Sequence, residues 1–543
     1  MSFNLAIMLR ESARSFPGKD FLRYAGGRLS YGEADELSSR VAASLRGRRL
    51  PAGAKVAVQL PNVPEFVLAY FGILKAGLTM VPVNPLLKRD ELRYHLSDSD
   101  SVMLIHAGSA EAAAALTGLP GIESVIVTPA TAGGPGPDAD SGPAGTPFAA
   151  LLTADADPDI HPGAADDTAV ILYTSGTTGR PKGAELSHFQ LYMTCTLGGQ
   201  TFGTLPDDIS LAVLPLFHVY GLSSILNGAT RYGRTVALLE RFSAEAVLDA
   251  IERDRVTIMA GVPTMYHELA EADIAGRDLG SLRIGSSGGA AIPVSVLRRF
   301  EAKYKITVLE GYGLSESAST VTVNPGAASR KFESIGKPLW GIELRIVDPD
   351  DQPLPPDPGH IGEIALRGHN ITKGYYKRPE ETAEALRNGW FHTGDLGYVD
   401  DDGFVFVVDR KKDLIIRGGF NVYPREVEEL LYRHPAVLEA AVVGRPDPRL
   451  GEEIAAYIVL RPEAGQTAED VRSWVKERIA AYKYPREVHV VAALPKGPTG
   501  KIHKQTLRNA ARGTPSATRP ESPTIPEAQI PEEQIPEEQR RPS

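Results

Sequence analysis

The chain has 543 residues, 42% of them hydrophobic and 23% charged, with a formal net charge of −10. That length exceeds one ordinary domain, and the apolar fraction can build more than one core. An acidic balance without a basic block argues against nucleic acid as a partner. The single cysteine, Cys195, rules out an intrachain disulfide, is too little for a structural zinc site, and reads as a small core residue. Met1–Arg14 carries Arg10, Glu11 and Arg14 and does not resemble a signal peptide. No run of about 20 apolar residues occurs, so no transmembrane segment is expected and the location reads as cytoplasmic.

In chain order, Val56–Leu60 is predicted as a strand and Glu65–Lys75 as a helix stopped before Gly77. Met80–Val83 follows as a strand, Arg89–Ser97 as a helix and Ser101–His106 as a strand. Such alternation points to an α/β fold with a largely parallel sheet. Residues 129–147, rich in Gly, Pro, Asp and Ala, read as a loop. Val170–Tyr173 is a strand feeding a Gly/Thr-rich turn. Around Asp400–Gly403 the pattern changes to hairpins, with a strand over Phe404–Asp409. Beyond it lies a smaller α+β unit: helix Pro424–Arg433, strands Val437–Val443 and Ala455–Leu460, and helix Ala468–Ala481. The boundary is placed near Asp409–Lys412. The end of the chain repeats Ile-Pro-Glu-Glu/Ala-Gln from Ile525. Proline at every fifth position forbids a continuous helix, so residues 513–543 read as a disordered Pro/Glu/Gln-rich tail.

The strongest chemical signal is Tyr173-Thr-Ser-Gly-Thr-Thr-Gly-Arg-Pro-Lys-Gly183. Glycines let backbone approach a ligand closely, and hydroxyls, exposed N–H groups and a lysine make a phosphate cradle. The spacing of Gly176, Gly179 and Lys182 does not fit a Walker loop. A flexible surface loop is the plain alternative, but the full run placed directly after a strand argues against it.

This run resembles the signature loop of the ANL superfamily of adenylating enzymes, which includes acyl-CoA synthetases, firefly-type luciferases and peptide-synthetase adenylation domains. The family's other motifs follow in order: Leu214-Pro-Leu-Phe-His-Val-Tyr-Gly221, Gly311-Tyr-Gly-Leu-Ser-Glu316, His392-Thr-Gly-Asp395, Asp409-Arg-Lys-Lys-Asp413 and Pro495-Lys-Gly-Pro-Thr-Gly-Lys501. The resemblance implies a large N-terminal adenylate-forming domain over 1–409 and a smaller, mobile α+β domain over 410–512. It also implies ATP, Mg²⁺ and coenzyme A as cofactors or co-substrates of a small carboxylic acid.

Residue roles follow from the resemblance. Thr174, Ser175, Gly176, Thr177 and Thr178, with Lys182, are expected to hold phosphates. Tyr312 is expected against adenine, with Gly289 and Ala290 leaving it room. Glu316 is the expected Mg²⁺ ligand, a carboxylate suited to a hard cation. Asp395 and Arg410 are expected on ribose. Lys501 is the expected catalytic cation, stabilising charge that builds as carboxylate attacks the α-phosphate. His218 is expected as an aromatic gate between acyl pocket and thiol path, with a packed core histidine as the plain alternative. Lys412 matches the hinge position, and Gly419 is expected beside the pantetheine channel after domain rotation.

Gly285-Ser-Ser-Gly-Gly289 also fits the nucleophile elbow of α/β-hydrolases. No oxyanion motif or His/Asp partner stands out in the expected order, and the family pattern makes it the adenine-side loop. The run Leu414–Glu426 closely resembles bacterial fatty-acyl-CoA ligases, which favours coenzyme A as acceptor. A free-standing adenylating enzyme serving a carrier protein, or activating another acid such as nitrite, stays open. The acyl pocket is expected from 218–221, 262–266, 286–289 and 311–320. There Ser317-Ala-Ser-Thr-Val321 brings small hydroxylated residues, so aryl or medium-chain acids compete with long chains.

Overall fold

The computed structural model describes residues 2–25, 27–128, 145–174, 180–462, 464–497 and 499–513. Ser175, Gly176, Thr177, Thr178, residues 129–144 of the predicted 129–147 loop and the repeat tail lie outside the described residues.

Two large sheets form the N-terminal bulk. A seven-stranded sheet carries the predicted strands as Lys55–Gln59, Thr79–Pro82 and Ser101–His106, paired in parallel. Thr168–Thr174 joins it in parallel and turns back antiparallel as Lys182–Ser187. A nine-stranded sheet has a parallel centre of Thr235–Leu238, Ile209–Ala212, Ile258–Gly261, Ile284–Ser287 and Thr307–Tyr312. A four-stranded antiparallel sheet, Ile342–Val347, Gly362–Gly368, Phe391–Val399 and Val405–Arg410, follows.

Local chemistry explains the covering helices. Pro64 starts helix Pro64–Lys75, where a missing N–H costs nothing. From Phe66 to Lys75 every residue of that helix is buried, as expected for a helix apolar on all faces. Its buried Lys75 ammonium is satisfied by Asp35 Oδ1 at 2.6 Å and by Ser38 and Ser39 hydroxyls. Ser187 caps helix His188–Thr201 through a reciprocal bond with Gln190.

The C-terminal unit has its own five-stranded sheet and its own core around Val427, Leu431, Val442 and Ile458. The two predicted strands are longer than expected: Val437–Asp447 and Gly451–Leu460 form one extended hairpin. Prolines and charges at its tip, Arg445–Glu453, conceal strand character in the sequence. Helix Ala468–Ala481 is corrected to Ala468–Lys476. The Arg478 guanidinium takes the Trp474 carbonyl at 2.9 Å, and the chain then drops Ile479 and Tyr482 onto the core. No described helix is long and apolar enough to cross a membrane.

Candidate active site

Beyond the carboxyl ends of the parallel strands lies a continuous cavity of about 2160 Å³. Ligands bind at this end of such sheets because loops there are free to diversify. The loops after Ile209–Ala212, Ile284–Ser287 and Thr307–Tyr312 deliver His218, Gly289, Ala290, Tyr312 and Glu316 to its wall. The four-stranded sheet adds Asp395 and Arg410, which face each other in register, and the C-terminal unit adds Lys501.

Asp395 is buried, and its two oxygens take different partners. Oδ2 accepts from the Tyr312 hydroxyl at 2.5 Å, and Oδ1 faces Arg410 Nε at 3.1 Å. Burial, with Asp395 beside it, drives the Tyr312 hydroxyl well above its usual pKa, so it remains a donor. Asp395 in turn raises Arg410. The three expected nucleotide contacts are therefore one connected group with acceptor capacity left on the carboxylate.

On the phosphate side, Glu316 Oε1 accepts from Thr174 Oγ1 at 3.2 Å and from the Tyr375 hydroxyl at 3.0 Å. Lys182 Nζ lies 5.3 Å from the Tyr375 ring centroid. Carboxylate and hydroxyl oxygens suit Mg²⁺, which keeps waters and substrate phosphates as its remaining ligands. The described residues hold no cluster of three or more His, Cys, Asp or Glu side chains arranged for a metal. Glu316 Oε1 and Thr174 Oγ1 are oxygen donors of the kind such a cation takes.

Lys501 enters from the opposite side. A Cβ on Gly289 would lie 2.8 Å from Lys501 Cε, and Gly289 has φ +84°, so this glycine gives both the backbone turn and the passage for the lysine stem. Burial, reinforced by Arg410 and opposed by Asp395, pulls the Lys501 ammonium down to about 8. His218 lines the cavity, and its Nδ1 accepts from Tyr220 N–H at 3.3 Å. Burial, then Lys501, pushes the imidazole down to about 3, so it is neutral with its proton on Nε2. That tautomer offers the cavity a donor, not a base.

Lys412 sits in the turn between Val405–Arg410, the last strand of the four-stranded sheet, and Ile415–Arg417, the first of the C-terminal sheet. Gly419, at φ +84°, occupies the exposed turn between Ile415–Arg417 and Phe420–Val422 and does not line the cavity in this arrangement. The hydrolase-like Ser287 is buried at a strand end, and its hydroxyl has no hydrogen-bond partner among the described residues. It has no histidine to activate it.

Sequence reasoning missed Tyr375, which holds Glu316; Thr264 lies in the expected 262–266 pocket segment, but its hydroxyl bond to Gly500 O at 2.9 Å was not foreseen. It also missed Ser224, on the π-helical segment Tyr220–Asn227. The Ser224 hydroxyl pairs with Ser319 Oγ at 2.7 Å and Thr320 Oγ1 at 3.3 Å. Tyr375 directly follows Gly374, which has φ +143°; that glycine was the available cue. Single hydroxyls such as Thr264 and Ser224 give none.

Comparison with known proteins bears on the same groups. Residues 9–376 match the AMP-binding enzyme family and residues 426–501 the AMP-binding enzyme C-terminal domain. The chain is 38% identical over 499 residues to a feruloyl-CoA synthase of an Amycolatopsis species, covering 91% of this chain and 96% of the relative. It is 34% identical over 525 residues to a long-chain-fatty-acid–CoA ligase of Bacillus subtilis (strain 168), covering 93% and 94%. The crystal structure of the anthranilate CoA ligase AuaEII in complex with anthranoyl-AMP superposes with a TM-score of 0.86 at 28% identity, covering 94% of this chain and 98% of that one. With an ordered motif set, an Asp395–Tyr312–Arg410 group and a partly buried Lys501 on the same cavity, the chain belongs to the AMP-binding, or ANL, superfamily and is an AMP-forming acid–CoA ligase.

Proposed function

We propose that the acid is an aryl or medium-chain carboxylic acid and that Lys501 drives its adenylation. The observation that carries the choice of acid is the hydroxyl wall of Ser224, Ser319 and Thr320, faced by Tyr220 and Ser286, whose hydroxyls are 3.0 Å apart. A long alkyl chain laid on that wall would strip water from polar groups and return no hydrogen bond. The feruloyl-CoA synthase relative supports an aryl acid.

In the first half-reaction a carboxylate oxygen attacks the α-phosphorus, the bond to the bridging oxygen breaks, and pyrophosphate leaves. Lys501 meets the charge that grows on the phosphoryl and carboxyl oxygens, in a cavity where water screens little. Tyr312, Asp395 and Arg410 orient adenine and ribose, and Thr174 and Lys182 stand at the phosphates. Glu316 would hold Mg²⁺, which when bound offsets phosphate charge. In the second half-reaction the coenzyme A sulfur attacks the acyl carbon, the thiol proton is released, and the acyl–phosphate C–O bond breaks to free AMP. His218 Nε2–H lies between the two paths as a gate and donor.

For that second step we place the domain boundary at 409/410, at the end of strand Val405–Arg410 and ahead of the C-terminal sheet, which begins at Ile415. Lys412 is the hinge, and rotation about it exchanges Lys501 for the Gly419 turn. The test is an acid panel with ATP, Mg²⁺ and coenzyme A, read by mass detection of adenylate and thioester. Aryl and medium-chain acids are expected to give thioester. Turnover confined to long-chain acids would overturn the choice of acid, and adenylate without thioester would overturn coenzyme A as acceptor.

A further inference from the structure

The cavity does not stop at the hydroxyl wall. It runs inward along one face of the nine-stranded sheet, toward the amino ends of its strands. Ala260 and Ser286 form one row across that face, and Ser210, Ile258 and Ile284 form the next row inward. Helix His188–Thr201 covers this path and contributes Thr194 and Gly198 to its lining.

At the floor stands Arg234, immediately before strand Thr235–Leu238, and only 3% exposed. Its Nη1 donates to Ser210 Oγ at 2.9 Å, the side chain's one hydrogen bond among the described residues. Nε has no hydrogen-bond partner among the described residues. The nearest acidic candidate, Asp208, is committed elsewhere: it accepts from Arg283, from Thr257 Oγ1 at 2.8 Å and from Leu205 N at 2.7 Å. The Tyr31 hydroxyl bonds the Arg234 carbonyl at 2.6 Å, not the guanidinium. No carboxylate of the described residues lies within ion-pair distance of Arg234, while the other deeply buried cation, Lys75, has Asp35 at 2.6 Å.

A guanidinium keeps its charge, and a buried charge without a counter-ion is costly. Nε is sealed from solvent, but Nη2 carries no hydrogen bond among the described residues, and the guanidinium belongs to a residue lining the substrate cavity. We infer that Arg234, with Ser210 Oγ beside it, anchors a second carboxylate at the far end of the acid, so that the substrates are dicarboxylic acids activated at one end and held by the other. This rests on the acid–CoA ligase reading of the cavity. Counting strand rows and strand spacings, the two carboxylates are separated by on the order of 10–15 Å.

The test compares matched pairs: α,ω-dicarboxylic acids and monocarboxylic acids of equal length, from six to sixteen carbons, by acid-dependent pyrophosphate exchange. At one span the diacid is expected to exceed its monoacid roughly hundredfold in kcat/KM, because a site built for a polar group rejects the analogue lacking it. Arg234→Met should reverse that ratio and spare the monoacids, and Arg234→Lys should restore part of it. A second variant does not touch the buried charge. A Cβ on Gly198 meets no atom within 4 Å, so Gly198→Leu should fill the path and remove long diacids while leaving short acids active. No diacid preference at any span in the wild type, or the same preference in Arg234→Met, overturns the inference. If Arg234→Met does not fold, the wild-type span profile and Gly198→Leu decide it. Exchange with no acid of either kind would instead reject the ligase reading on which it rests.

Discussion

The fixed walls of the cavity and the arm that carries Lys501 are held in different ways. Asp395 bonds Tyr312 and Arg410, and Glu316 bonds Tyr375, all from strands or loops of the nine-stranded and four-stranded sheets. Lys501 belongs to a short turn that is rigid in itself, with Gly497 N–H on Lys501 O at 2.7 Å and His503 N–H on Pro495 O at 2.7 Å. Among the described residues, the arm meets the walls near that turn through one neutral hydrogen bond, Thr264 to Gly500, and two ion pairs, Lys496–Glu268 at 3.7 Å and Arg461–Glu271 at 3.1 Å. Nearer the four-stranded sheet, Arg425 N–H donates to Asp409 Oδ2 at 3.1 Å, the Arg425 guanidinium donates to Val407 O, and Lys411 pairs with Glu363 at 3.4 Å. The proposed substrate-binding walls are thus built in advance, whereas the proposed catalytic charge comes from a unit with its own sheet and core.

Separating the two regions experimentally should start with the charge itself. Lys501→Ala is expected to cut adenylate formation roughly a hundredfold or more, a loss of about 3 kcal/mol of transition-state stabilisation. Conversion of supplied acyl-adenylate to thioester should survive, and equal damage to both steps would erase the distinction. Next comes the hinge. Lys412→Pro fixes φ and should leave pyrophosphate exchange intact while thioester formation falls at least tenfold. Gly419→Leu should do the same, since a side chain there strains a φ of +84° and narrows the proposed thiol path. Wild-type thioester rates in either variant would displace the hinge or the channel.

A smaller effect is expected from pH. The competent Lys501 is the ammonium, and its pKa in the free enzyme is about 8. Adenylation kcat/KM should therefore hold below that value and decline as pH rises through it. Lys501→Arg should lose this alkaline limb, and a limb unchanged in that variant would assign it to another group. Smallest is Thr264→Val, which removes the neutral tether. Worth about 1 kcal/mol, it should slow adenylation roughly fivefold and leave the thioester step from supplied adenylate unaltered.

The walls were more legible in the sequence than the floor. Tyr312, Asp395, Arg410, Glu316 and Lys501 each lie in a run whose neighbours shape the backbone around them, and the structure gathers all five at one cavity. The central parallel strands were legible because their apolar runs are bounded by Gly, Pro and polar turns. Arg234 was not, since Thr230-Arg-Tyr-Gly-Arg234 has the polarity of an exposed loop. Its burial comes from strands and helices distant in the chain, which no local pattern encodes. Tyr375, and the bond that Thr264 makes to Gly500, were hidden for the same reason. Each acts through one hydroxyl on a partner 59 or 236 residues away.

The thin seam between arm and walls also makes docking a matter of populations. On the side of Lys501, away from the Arg425 and Lys411 contacts, two partly exposed ion pairs contribute about 0–1 kcal/mol each, and one neutral hydrogen bond contributes about 1. A ligand that prefers one arrangement by only about 1.4 kcal/mol then changes the docked-to-undocked ratio tenfold. Ionic strength acts on the same balance, because the screening length shrinks from about 10 Å at 0.1 M salt to about 3 Å at 1 M. Salt should thus act as a clutch on this enzyme. By loosening Lys496–Glu268 and Arg461–Glu271 it moves molecules out of the adenylating arrangement without touching a single group that contacts substrate.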